Sequence, residues 1–234
     1  MTNSLISLFL YFPISLLSFT FCFSQPTLTF NYLRNYTPKE YNAVPQNWAI
    51  VQDKRGVMYF GNNKGVLEYD GVKWNLIPVP NDIIRSLTID NSSRIYVGGV
   101  GEIGYLSPDS VGKMTYFSLL GSIDKKDRHF SDVWNSYATE QGLFFQTSHK
   151  IFRFRFNDAS AGSNGIDSGI VKVWNTEDSY KFSVMFYVNN NIYIRQHEKG
   201  LMIMKDAALV LVPGGEQFAK HSIYSMLPFN KEQI

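Results

Sequence analysis

After residue 45 the chain is a series of short runs rich in apolar residues, each followed by turn-forming residues. The first group of runs comprises residues 48–53, 57–61, 66–69 and 73–77. The Asp70-Gly71 pair between the third and fourth runs tolerates the positive φ angles of a two-residue hairpin. This pattern predicts four short antiparallel strands joined by tight turns.

The same order of strands and turns recurs three more times. Residues 84–106, 133–154 and 183–204 each repeat the first three strands, and the equivalent aromatic residues are Tyr59, Tyr96, Phe144 and Tyr193. These aromatics are 37, 48 and 49 residues apart. A repeat of roughly 40 to 50 residues with four short strands is typical of propeller blades. We therefore predict an all-β protein, a β-propeller of four-stranded antiparallel blades over residues 45–229.

Two segments of the chain fall outside the four repeats. Residues 157–169 are rich in Gly and Ser and are interpreted as an insertion within the third repeat. Residues 222–228 look like the first strand of a fifth blade. About four blades plus the start of a fifth would make an incomplete ring with an unpaired sheet edge. The expectation is that this chain is the N-terminal portion of a longer protein.

The N-terminus predicts export. Residues 5–23 are almost wholly apolar, and small residues allow cleavage after Ser24. The predicted organisation is a signal-peptide helix over residues 1–24 and a propeller domain over 25–234, on the periplasmic side of the inner membrane. Two alternatives to a signal peptide stay open, a membrane anchor and a soluble core helix. The segment lacks the positively charged residues that usually begin a signal peptide, and it is nearly long enough to span a bilayer. Pro13 disfavours the anchor. The single cysteine, Cys22, lies here, so no internal disulfide can form.

The first repeat also carries a family resemblance, in residues 41–48, 52–56, 59–63 and 65–71. These segments closely resemble the opening blade of bacterial two-component-regulator propellers, the sensor regions of triple-tyrosine regulators. In that family a triple-tyrosine domain, a membrane helix and a histidine kinase or LuxR-type output follow the propeller. The resemblance implies non-catalytic sensing and signal transduction for transcription regulation, with the rest of the regulator chain as partner and membrane tether.

Charge and motifs offer little support for catalysis. The net charge of +2 comes from scattered residues, so direct nucleic-acid binding is not predicted. Residues 99–104 fit the dinucleotide motif G-x-G-x-x-G, but a strand follows where that motif needs a helix, so turn glycines explain it better. No nucleophile elbow, H-E-x-x-H or C-x-x-C motif occurs. No cofactor and no metal site are predicted.

One set of polar residues remains as a candidate ligand site. In each blade, the loop that enters the first strand and the loop between the second and third strands share one face. All four histidines map to these loops. The candidate ligand-binding residues are Asn62, Asn63, Glu102, His149 and His197. Propellers usually bind ligands on such a face, and a saccharide or peptide is the expected ligand.

Two other interpretations stay open. Loops are simply where polar residues collect, so the set need not bind anything. A secreted polysaccharide lyase or glycosidase would instead need paired acids or a His with an acid at the channel mouth. For such an enzyme the sequence offers Glu102, His149, His197 and Glu198.

Overall fold

The structure is a computed structural model that describes residues 33–155, 170–176, 179–205 and 208–230. Within these residues the chain forms four antiparallel sheets of four strands each, in sequence order from one edge to the other. The first two sheets contain β1 (Asn47–Gln52), β2 (Met58–Asn62), β3 (Gly65–Tyr69), β4 (Trp74–Ile77), β5 (Ile84–Ile89), β6 (Ile95–Gly99), β7 (Ile103–Pro108) and β8 (Met114–Ser118). The last two contain β9 (Asn135–Thr139), β10 (Gly142–Gln146), β11 (Lys150–Arg155), β12 (Ile170–Asn175), β13 (Phe182–Val188), β14 (Asn191–Gln196), β15 (Gly200–Lys205) and β16 (Ala208–Leu211).

The sheets are the blades of a propeller, as the sequence predicts. The first strands of neighbouring blades, β1, β5, β9 and β13, contact one another in that order, which makes them the inner strands. Buried side chains fill the space between consecutive blades. Tyr59 and Val66 of the first blade pack with Leu87 of the second, and Phe144 of the third packs with Met185 of the fourth.

Helix is confined to short pieces among the described residues. The α-helix α1 (Pro38–Tyr41) begins after Thr37, whose backbone N–H donates to the Glu40 carboxylate. Three 3₁₀ turns cover Leu120–Ser122, Lys125–Asp127 and Gly215–Phe218. No described helix combines the length and the apolar character that crossing a membrane requires. The predicted signal-peptide helix over residues 1–24 and the insertion at 157–169 lie outside the described residues.

The repeated aromatics occupy equivalent packing positions. Tyr59, Tyr96 and Phe144 are 0%, 3% and 0% exposed, and each belongs to the core shared with the following blade. Tyr193, in the fourth blade, is only partly buried. The prediction of buried packing residues is therefore confirmed for the first three and holds only in part for the fourth.

The segment after the fourth blade differs from expectation. Residues 222–228 lie outside any strand, so the start of a fifth blade is not formed in the described part of the chain. Hydrogen bonds hold the chain on both sides of this segment. The Ala219 carbonyl accepts from the Arg195 guanidinium, and the Asn230 carbonyl accepts from the Asn189 amide. A strand needs a partner to complete its hydrogen bonds, and the described residues provide none for this segment.

Candidate ligand-binding face

One face of the propeller carries the entry loops and the loops between second and third strands, as predicted. The backbone N–H of Val100 donates to the Ile83 carbonyl at 3.0 Å, and that of Gly101 donates to Ser131 at 3.0 Å. In the fourth blade, the N–H of His197 donates to the Lys181 carbonyl at 2.8 Å. These bonds join the two kinds of loop blade after blade. We call this surface the loop face.

Asn62 lies on the loop face but is closed to solvent. Its side chain is 0% exposed, and its amide nitrogen donates to the carbonyl of Val44 at 2.7 Å and to Asn47 Oδ1 at 2.8 Å. Its side-chain oxygen accepts the N–H of Lys64. Asn62 is therefore a buried structural residue in this structure, because its amide satisfies the backbone of the segment that enters the blade.

Glu102 is also buried and hydrogen-bonded within the protein. It is 5% exposed, and Oε1 accepts hydrogen bonds from Tyr116 at 2.9 Å and from Ser118. Burial, followed by the nearby Glu102 carboxylate, raises the pKa of the Tyr116 phenol. The carboxylate therefore fastens the outer strand β8 to the loop that precedes β7, and it is closed to solvent.

The two histidines are at least partly accessible, and each contacts a different neighbour. Half-buried His149 places Nδ1 3.2 Å from Thr176 Oγ1, beside the outer strand of the third blade. Exposed His197 lies 3.6 Å from Glu198. No hydrogen bond or ion pair between described residues joins any two of Asn62, Asn63, Glu102, His149 and His197. Of the four residues suggested for an enzyme, His197 and Glu198 lie together in one exposed loop, and no hydrogen bond or ion pair between described residues joins them to Glu102 or His149. The described residues contain no metal-binding cluster.

Asn63 leads to a cluster that sequence reasoning missed. Its Oδ1 accepts the indole N–H of Trp48 at 2.7 Å. The Arg85 guanidinium lies over the Trp48 ring, 4.1 Å from the centroid, and 5.2 Å from the centroid of Trp134. The two indoles meet edge to face at 6.3 Å. We call Trp48, Arg85 and Trp134 the indole–arginine cluster.

The fold places the indole–arginine cluster where inner strands begin. Trp48 and Arg85 are the second residues of β1 and β5, each at a β-bulge, and Trp134 directly precedes β9. A bulge re-aims the side chain of the extra residue, which here brings residues of three blades together. The entering ends of inner strands lie beside the central axis, so the cluster stands at the mouth of the channel.

The cluster is charged, partly exposed and incompletely bonded. Arg85 Nε donates to Asp132 Oδ1 at 2.6 Å, and their side chains are 15% and 22% exposed. Trp48 and Trp134 are 42% and 39% exposed. Arg85 Nη1 is buried, and it has no hydrogen-bond partner in the described part of the chain.

A weak sequence signal for this cluster exists. Trp48 and Arg85 are 37 residues apart, as are Tyr59 and Tyr96, so they occupy the same position in successive blades. The repeat alignment therefore places Trp48 and Arg85 at matching positions of neighbouring blades. It did not contain the bulges that turn their side chains towards each other.

The chain matches no protein-family model and no curated protein. Among solved structures, it is similar to the extracellular domain of a protein assigned as a one-component system of B. thetaiotaomicron. That match has a TM-score of 0.56 and 16% identity, and it covers 76% of this chain and 23% of the other. A second similar structure is the extracellular domain of a protein assigned as a hybrid two-component system of the same organism. Its TM-score is 0.55 and its identity 14%, with 75% of this chain and 26% of that chain covered.

A third structure, YCF48 bound to D1 peptide, has a TM-score of 0.51 and 15% identity, with 84% of this chain and 61% of that chain covered. The chain therefore spans about a quarter of the length of the two regulator structures. At identities this low, the three matches establish the fold alone, which is a β-propeller. That fold agrees with the resemblance to regulator propellers found in the sequence.

Proposed function

We propose that this chain is a non-catalytic, ligand-sensing β-propeller that works outside the cytoplasm, on the periplasmic side of the inner membrane. The observation that carries the proposal is the indole–arginine cluster at the channel mouth. Indole rings are costly to leave in water, and binding surfaces commonly use Trp and Arg as anchors. Two half-exposed indoles beside a guanidinium provide both an apolar platform and a positive charge.

The ligand class follows from the chemistry of the cluster. Exposed indole faces stack on sugar rings or on the side chains of a peptide, so a saccharide or a peptide is the proposed ligand. Asn63 and Asp132 already hold Trp48 and Arg85 in place, which lowers the entropy lost on binding. Similarity to the regulators' extracellular domains supports a sensing role, and YCF48 bound to D1 peptide is a peptide-binding example of the same fold.

The proposed partners extend beyond the ligand. The rest of the regulator chain would carry the signal to a cytoplasmic output and tether the propeller to the membrane. This segment itself would not bind nucleic acid, because its net charge of +2 is not concentrated in one patch of sequence.

The experiment compares Trp48→Ala and Trp134→Ala with Phe117→Ala, which removes an aromatic ring of similar exposure, 37%, from an outer strand. Each purified variant is tested against panels of oligosaccharides and peptides, and hits are measured by calorimetry. We expect either Trp variant to bind at least about tenfold more weakly, as for loss of a stacking anchor. Phe117→Ala should bind normally. Unchanged binding in both Trp variants would refute a site at the cluster.

A further inference from the structure

A cleft opens between the first and second blades on the face opposite the loop face. It lies at the turns joining β1 to β2 and β7 to β8, with a volume of about 490 Å³. We call it the interblade cleft, and the residues used below are Asp53, Arg55, Glu68, Ser93, Lys113 and Met114. Its volume lies within the range of small-molecule sites.

A chain of hydrogen bonds fixes the charged wall of the cleft. Arg55 Nη2 donates to Asp53 Oδ2 at 2.7 Å and to the Tyr59 hydroxyl at 3.2 Å. Tyr59 in turn donates to Glu68 Oε1 at 3.0 Å, and Asn75 donates to Glu68 Oε2 at 3.0 Å. Because Arg55 and Glu68 share the Tyr59 hydroxyl, a cation and an anion are held within reach of one small molecule.

These groups keep unused hydrogen-bonding capacity. The Arg55 side chain is 65% exposed, and Nη1 makes no hydrogen bond with any described residue. Each oxygen of Glu68 accepts one hydrogen bond and can accept another. Buried Ser93 Oγ has no partner in the described part of the chain. Across the cleft, exposed Lys113 forms no ion pair with a described carboxylate.

The balance of charge selects the ligand. Two carboxylates, Asp53 and Glu68, and two cations, Arg55 and Lys113, line the cleft, so the lining is neutral overall and offers both signs of charge. A free anion would meet Glu68, and a free cation would meet Arg55 and Lys113. A molecule carrying both charges on neighbouring atoms satisfies both sides. Half-buried Met114 adds an apolar wall for a side chain.

We infer that the interblade cleft binds a free α-amino acid, with its ammonium group on Glu68 and its carboxylate on Arg55 and Lys113. This site is independent of the loop face, and it adds a second small-molecule input to the proposed sensor.

The test is calorimetric titration of the purified chain with glycine, L-leucine, L-glutamate and L-lysine. The tightest binder is then compared with its amine and carboxylic acid analogues, which each lack one charge. We expect amino-acid binding, and at least about tenfold weaker binding of either analogue, since each loses a charge-assisted hydrogen bond. Failure of all four amino acids to bind at millimolar concentration, or equal binding of an analogue, would overturn the inference.

Variants locate the site. Lys113→Gln and Glu68→Gln should each weaken amino-acid binding at least about tenfold. Lys73→Gln is the matched control, because exposed Lys73 occupies the equivalent hairpin of the first blade but does not line the cleft. Lys113 is exposed, so its variant stays folded even if Glu68→Gln disturbs the Tyr59 network. Equal affinities of Lys113→Gln and Lys73→Gln would place the ligand elsewhere.

Discussion

The hydroxyl of Tyr96 donates a 3.0 Å hydrogen bond to Oδ2 of Asp90, the residue that organises the turn between β5 and β6. The other oxygen of Asp90 accepts the backbone N–H groups of Ser92 and Arg94. A buried second-strand aromatic is thereby fastened to the turn that precedes it. Burial, and then the Asp90 carboxylate, raise the pKa of Tyr96. The raised pKa keeps the phenol a neutral donor at neutral pH.

This relationship predicts two separable effects at Tyr96. Tyr96→Ala should lower the free energy of unfolding by about 3–5 kcal/mol through the cavity left behind. Tyr96→Phe keeps the ring and should lose about 1.5–3 kcal/mol, the value of a hydrogen bond to a charged group. Chemical denaturation measures both. Tyr224→Ala, at an 89% exposed position, is the control and should stay within about 0.5 kcal/mol. Equal midpoints for Tyr96→Ala and Tyr224→Ala would contradict the packing role.

Gly104 is predicted to be irreplaceable for steric reasons. A Cβ atom there would lie 2.3 Å from the Phe117 carbonyl oxygen and 2.3 Å from the Tyr116 ring. Gly104→Ala should therefore force β7 and β8 apart and cost at least about 1–3 kcal/mol, as overpacking does. At Gly121 a Cβ would have no neighbour within 4 Å, so Gly121→Ala should have the same unfolding temperature as the wild type. Thermal unfolding of the two variants compares them directly, and a stable Gly104→Ala protein would argue against this strand spacing.

Asp53 should make stability fall in acid. Burial alone would raise its pKa, but hydrogen bonds from Arg55 and Val57, with the Arg55 charge, hold the pKa below its usual value. The unfolded chain then binds a proton at a higher pH than the folded chain. The stabilisation from Asp53 is fully present above about pH 4 and is lost as the pH falls through the lower, folded pKa. Thermal midpoints of wild type and Asp53→Asn between pH 7 and pH 3 should converge in acid. If the difference between the two thermal midpoints stays constant from pH 7 to pH 3, groups other than Asp53 cause the loss of stability in acid.

The strands were predictable because their signals are local. The runs predicted at residues 57–61 and 66–69 agree with β2 and β3 to within one residue at either end. The outer strands β8, β12 and β16 escaped prediction in three of the repeats. An outer strand has one neighbour, and β8 and β16 leave every side chain at least partly exposed, so burial imposes little pattern on their sequences.

The candidate site was predicted only in outline. The loop face follows from strand order alone, and Asn63 does contact the indole–arginine cluster. The cluster itself depends on contacts between residues of different blades, which no local pattern contains. Burial of Asn62 and Glu102 was likewise hidden. Each looks like an exposed loop residue in sequence, yet each satisfies polar groups that other parts of the fold bring to it.

Asn62 and His197 now separate structural from accessible residues of the loop face. Asn62→Ala removes the donor that satisfies the Val44 carbonyl and leaves buried acceptors unpaired, so it should cost about 1–3 kcal/mol of stability. His197→Ala changes an exposed loop tip and should stay within about 0.5 kcal/mol. Asn62→Asp is the informative companion, since it keeps the size of the side chain but replaces the donor with an acceptor that faces the Val44 carbonyl. It should be at least as destabilising as Asn62→Ala in urea denaturation at pH 7. If all three variants unfold at the wild-type midpoint, the amide does not hold the entering segment, and Asn62 returns as a candidate for ligand contact.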